Sequence, residues 1–173
     1  NISGVARSLD YYPSGNRKAE DGLGMLAFGM GKTIVDEGAA FRFCPAKPQI
    51  PVTSLTGRGS SQRYFYALDT NKPFSPLCDI DNLVQVPLSK VSKYPRATMG
   101  IMSVMRSDGF VSENPYDEGF KSLTFNGVVK YDMIPLPQIV DDVLKLGTAT
   151  MSEPVEIEFA VNMEHSGMPD FSI

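Results

Sequence analysis

In the stretch Pro154-Val155-Glu156-Ile157-Glu158-Phe159-Ala160-Val161, apolar residues recur at every second position. A period of two is the signature of a half-buried β-strand, so Val155, Ile157, Phe159 and Val161 share one face and Glu156, Glu158 and Ala160 the other. Asn162 to Asp170 follows with Gly167 and Pro169, and an apolar segment resumes at Phe171, which predicts a loop and a returning strand. On the other side, Pro137 to Leu146 carries Ile139, Val140, Val143 and Leu144 as one apolar stripe with Pro137 in the first turn. A helix is expected there, with Gly147 as its C-terminal stop.

Further out the pattern is mixed. Ile2 to Leu9 reads as a strand running into the turn residues Asp10 to Gly15. Ala19 to Phe28, with Leu23, Leu26 and Ala27 at helical spacing, reads as a helix, followed by a turn at Gly29-Met30-Gly31 and a short apolar segment, Lys32 to Val35, that ends at Gly38. Pro45, Pro48, Pro51, Gly57 and Gly59 predict an extended connection from Phe43 to Gly59. Gln62 to Leu68, Leu83 to Leu88, Thr98 to Met105 and Ser122 to Val129 have strand composition, the last two separated by a loop with Asp108-Gly109 and Glu113-Asn114-Pro115. With no repeat and no βαβ rhythm, an α+β domain with a largely antiparallel sheet and flanking helices is expected.

The chain has 173 residues, 42% hydrophobic and 21% charged, enough for one domain with its own core. A net charge of −4 offers no basic face of the kind a polynucleotide needs, whereas a single nucleotide requires only a cation or two. Cys44 and Cys78 have neither CxxC nor zinc spacing and read as ordinary thiols of a reducing cytoplasm. No apolar run approaches the roughly 18 residues of a membrane span, and no signal-peptide pattern is present. Beginning at Asn1 without an initiator Met and stopping in the apolar Phe171-Ser172-Ile173, the chain reads as an excised piece of a longer protein.

Glu156 and Glu158 would stand about 7 Å apart on their strand face, close enough to share a cation. Spacing alone favours the plainer reading, two carboxylates in water; the functional one is a Mg²⁺ site completed by water and substrate phosphates. Gly29-Met30-Gly31-Lys32-Thr33 has the composition of a phosphate-cradling loop but neither P-loop nor dinucleotide spacing, so locally it reads first as a turn that lets a short segment pack closely. His165 lies in an expected turn without a nucleophile or acid beside it. Arg7, Arg42, Arg58 and Arg63 are phosphate ligands only as any arginine is. Tyr64-Phe65-Tyr66 could stack on a base but suits strand packing better.

Five blocks, in order, nevertheless resemble one family. Gly24 to Pro45, GMLAFGMGKTIVDEGAAFRFCP, resembles the GLGE-VV-G-PD stretch of phosphoenolpyruvate synthases, and more closely the GLGKTVV-GG-RFSP version of pyruvate-phosphate-dikinase-like proteins. Pro154 to Val161 resembles that domain's P-x-D-I-E-W/F strand, and Ser3-Gly4-Val5-Ala6 its SGV-x-F strand. SQRYFYALD at 61–69 and SVMRSDGF at 103–110 resemble the dikinase-like branch. The resemblance covers most of the chain. It implies the C-terminal portion of an ATP-grasp domain, truncated at both ends, whose full-length relatives clamp ATP and Mg²⁺ and pass phosphoryl from ATP to a histidine and thence to pyruvate.

On that resemblance Glu158 matches the metal-binding Glu and Glu156 the acid two residues before it, while Gly29, Gly31 and Lys32 fall in the nucleotide-side loop. Lys32 stands where the synthases usually have Glu, and the Gln-x-Arg expected to complete the metal and phosphate site would lie past Ile173. The N-terminal subdomain, the phosphohistidine domain and the pyruvate domain would belong to the remainder of the protein. The expectation is therefore an ATP/Mg²⁺-binding piece, inactive alone, of a cytoplasmic phosphotransferase. The alternative is a non-catalytic nucleotide-binding or regulatory module of a larger signalling protein. Rifampicin and glucan phosphotransferases share the module, so the final acceptor stays open.

Overall fold

The computed structural model describes residues 2–36, 40–52, 62–71, 82–91, 93–163 and 169–173. The alternating strand is β9, Glu156–Asn162, and it pairs on both sides. β1 (Ile2–Arg7) runs antiparallel to it with Gly4 opposite Phe159 and Arg7 opposite Glu156, and β10 (Asp170–Ser172) returns along its other edge with Ser172 opposite Ala160. β2 (Leu23–Phe28) and β3 (Phe41–Phe43) complete a five-stranded sheet in the order β10-β9-β1-β2-β3. β4 (Tyr64–Leu68) and β5 (Leu83–Pro87) form a separate pair. β6 (Met102–Met105) lies between the two-residue β7 (Val111–Ser112) and β8 (Phe120–Leu123) in a three-stranded sheet. Every pairing among the described residues is antiparallel, and with few helices the fold is α+β.

One face of the large sheet is the core. Ile2, Ala6, Leu26, Phe28, Phe43, Phe159 and Val161 pack with Leu136, Val140 and Leu144 of a long helix and with Met102 and Leu123 of the small sheet. Two glycines make room for this layer: a Cβ on Gly4 would stand 2.1 Å from the Phe159 ring, and one on Gly24 2.2 Å from the Phe43 ring, each its cross-strand neighbour. The aromatic ring lies over the bare glycine backbone. On the opposite face, α1 (Lys32–Asp36) sets Ile34 against Val5 and Ala27.

Several expectations are corrected. Ala19 to Phe28 is not a helix: Ala19–Asp21 is a single 3₁₀ turn, Gly22 has φ 75°, and Leu23–Phe28 is strand β2. Its residues are buried or half-buried on both faces, so the run is apolar throughout and hides its period of two, while pairing with β1 and β3 overrides the helix propensity of Leu, Met and Ala. The short apolar segment from Lys32 to Val35 lies in α1. Thr98 belongs to a 3₁₀ turn, Pro95–Thr98, and the expected strand from Ser122 to Val129 ends at Leu123. Phe125 turns left-handed (φ 52°) and leads into a helical turn, α3 (Asn126–Val129), in which a Cβ on Gly127 would stand 2.4 Å from the Gly100 Cα. Leu88–Val91 forms the short α2 directly after β5.

The long helix, α4, spans Leu136–Met151, so Gly147 is not its stop. Ser152 (φ 57°) ends it, its N–H donating to the Thr148 carbonyl at 2.9 Å. Gly147 instead lets the lead-in to β9 cross the helix, since a Cβ there would lie 3.0 Å from the Val155 side chain. Among the described residues no helix is long and apolar enough to cross a membrane. Cys44 is a buried thiol raised in pKa chiefly by that burial, as expected of an ordinary core cysteine; Cys78, Arg58 and His165 lie outside the described residues.

Candidate functional site

β1 starts where β2 and β9 finish, and a cavity of about 1330 Å³ opens at that end of the sheet. Ile2, Ser3, Phe28 and the span Ala160–Met163 line it at the strand ends, the Gly29-Met30-Gly31 turn and Phe65–Leu68 of β4 supply one wall, and Arg96, Met99, Tyr116 and Met133 supply a second. Its volume exceeds the roughly 300–1,000 Å³ of ordinary small-molecule sites.

The glycine turn is held from two sides. The Ser3 hydroxyl donates to the Gly29 carbonyl, and the Met30 N–H donates to the Tyr66 carbonyl at 3.2 Å. Gly29 has φ 90°, and a Cβ on it would stand 2.9 Å from the Tyr66 carbonyl oxygen, so both conformation and closeness require glycine. Gln62, buried at the foot of β4, completes the joint: its amide accepts from the Phe28 N–H at 3.0 Å and donates to the Phe28 carbonyl at 2.8 Å, pairing the last residue of β2 as another strand would. Phe65 then meets Phe28 edge to face, with ring centroids 5.0 Å apart.

Gly29 and Gly31 line the cavity, while Lys32 lies just outside the lining with its ammonium 5.6 Å from the centroid of the Tyr66 ring, a cation–π contact. Of the aromatic run, Phe65 and Tyr66 line the cavity and Tyr64 does not. The two glutamates are exposed on the expected face of β9, but their situations differ. Glu156 is paired with its cross-strand neighbour Arg7 at the far end of the sheet from the cavity. Glu158 sits opposite Val5, forms no ion pair or hydrogen bond with any described residue, and is next on its strand face to Ala160 of the cavity lining, about 7 Å along the strand. Among the described residues no group of three His, Cys, Asp or Glu side chains is close enough to hold a metal ion.

Arg42 and Arg63 do not line the cavity; Arg96, not singled out from the sequence, does. Ser3 was visible only within the Ser3-Gly4-Val5 block, and Gln62 only as the polar residue before an aromatic run. Neither has a sequence signature for its role, because each acts on backbone groups distant in the chain.

No family model, curated protein or solved structure matches this chain.

Proposed function

We propose that this chain is the ATP- and Mg²⁺-binding part of a phosphotransferase of the phosphoenolpyruvate synthase and pyruvate phosphate dikinase kind, built as the C-terminal portion of an ATP-grasp domain. The observation that carries the reading is the convergence, at one cavity, of three segments that resemble that family: Ser3-Gly4-Val5, the Gly29-Met30-Gly31 turn, and the end of the β9 strand that bears Glu158. The cavity has the volume for a nucleotide, and Phe65, Tyr66 and the methionines supply flat apolar walls for a base. Mg²⁺ habitually takes one or two carboxylates and fills its other positions with water and phosphate oxygens. Glu158, exposed and without a partner among the described residues, fits as such a carboxylate, whereas Glu156 already has the Arg7 guanidinium as its cation. Bound there, the metal would neutralise charge on the nucleotide phosphates.

Calorimetric titration of the chain with ATP, in Mg²⁺ and in EDTA, tests this. MgATP should bind more tightly than free ATP, Glu158→Gln should weaken MgATP roughly tenfold or more while sparing free ATP, and Glu156→Gln should have the smaller effect. Equal affinity with and without Mg²⁺, or a wild-type response from Glu158→Gln, refutes the metal role.

One observation favours the non-catalytic alternative: Lys32, standing where the synthases usually have Glu, is drawn over Tyr66 and brings positive charge beside the glycine turn. Acid-labile phosphorylation of a histidine from ATP by the whole protein would exclude that alternative; MgATP binding without any phosphoryl transfer would favour it.

A further inference from the structure

Among the described residues lining the large cavity, Arg96 is the only charged side chain, and no Asp or Glu lines it. The Ser3 hydroxyl is engaged by Gly29, and the remaining polar side chains are the Tyr66 and Tyr116 phenols and the Asn162 amide, set among aromatic residues and methionines. Arg96 is exposed, lines the cavity, and forms no ion pair or hydrogen bond with any described residue. It stands on a well-held turn. Pro95 opens the 3₁₀ helix, the Ala97 N–H donates to the Tyr94 carbonyl at 3.0 Å, and the buried Thr98 hydroxyl donates to the Pro95 carbonyl at 3.1 Å.

A planar guanidinium presents paired N–H donors that match the oxygens of a phosphate, sulfonate or carboxylate, and such charge-assisted bonds are roughly twice as strong as neutral ones. We infer that Arg96 is the anion-binding residue of the cavity, taking the charged end of a ligand whose flat apolar part packs against Phe65, Tyr66 and the methionines. The naming of that ligand as a nucleotide rests on the reading above, in which case the anion is its phosphate chain; the role of Arg96 stands on the cavity itself.

Titrations of wild type, Arg96→Gln and Arg96→Lys with ATP, adenosine and the anionic fluorophore 8-anilinonaphthalene-1-sulfonate separate the two claims, with thermal melts confirming that all three proteins fold. Arg96→Gln should bind ATP roughly tenfold or more weakly, with Arg96→Lys between it and wild type and adenosine unaffected. Undiminished ATP binding by Arg96→Gln overturns the inference and leaves the nucleotide reading intact. Should wild type bind no ATP, the nucleotide reading fails and the fluorophore decides: affinity lost in Arg96→Gln and partly restored in Arg96→Lys sustains the role of Arg96, and affinity equal in all three proteins, or absent from all three, overturns it.

Discussion

Glu156 and Glu158 are two residues apart in the chain and share a strand face, yet register separates their surroundings. Arg7 lies opposite Glu156 and Val5 opposite Glu158, so one carboxylate has a cation across the strand and the other has no partner among the described residues. A shared face was legible from alternation alone; the identity of the cross-strand neighbour was not, because it depends on which distant strand pairs and in what register. Gly29 shows the same division. As a turn residue it was visible in the Gly29-Met30-Gly31 triplet, but the contact that forbids any other residue comes from Tyr66. Gly29→Ala should lower stability by about 1–3 kcal/mol, from forcing an alanine to a positive φ against the Tyr66 carbonyl. Urea denaturation checks it, and an unchanged midpoint and slope would contradict the geometry.

At the scale of elements, α4 and β9 were readable because each has one buried face and so displays its period. β2 was misread because the sheet core covers one side of it and Ile34 of α1 packs on the other, leaving no polar positions to mark the alternation. The end of α4 was misplaced for a related reason: Gly147 has the composition of a stop but serves as a notch under Val155. In an open helix interior, glycine to alanine gains about 1 kcal/mol. Gly147→Ala should show no such gain, because the new methyl must push Val155 aside at the point where the chain leaves the helix for β9. Gly147→Ala paired with Val155→Ala should recover it relative to Val155→Ala alone. A full gain in the single variant, measured by chemical denaturation, would refute the notch.

On the scale of the whole molecule, the cavity joins parts that are far apart in the chain. Its strand-end lining and first wall come from the ends of β1, β2 and β9 with β4, and its second wall from Arg96 to Met133. A ligand filling it would hold the two walls together. Hydrogen exchange with saturating MgATP should therefore slow both the amides of Gly29–Gly31 and those of Ala97–Ile101; protection confined to one wall would show that the ligand does not span the cavity. By itself the sequence determined the α+β class, the strand from Glu156, the helix of Val140 and Leu144, and the glycine turn, all features carried by local periodicity and turn chemistry. Only the tertiary structure decided that β2 is a strand, that Glu156 belongs to Arg7, and that Arg96 faces the same cavity as Gly29. Those outcomes depend on strand register and on side chains meeting across long sequence separations, which no local pattern of residues encodes.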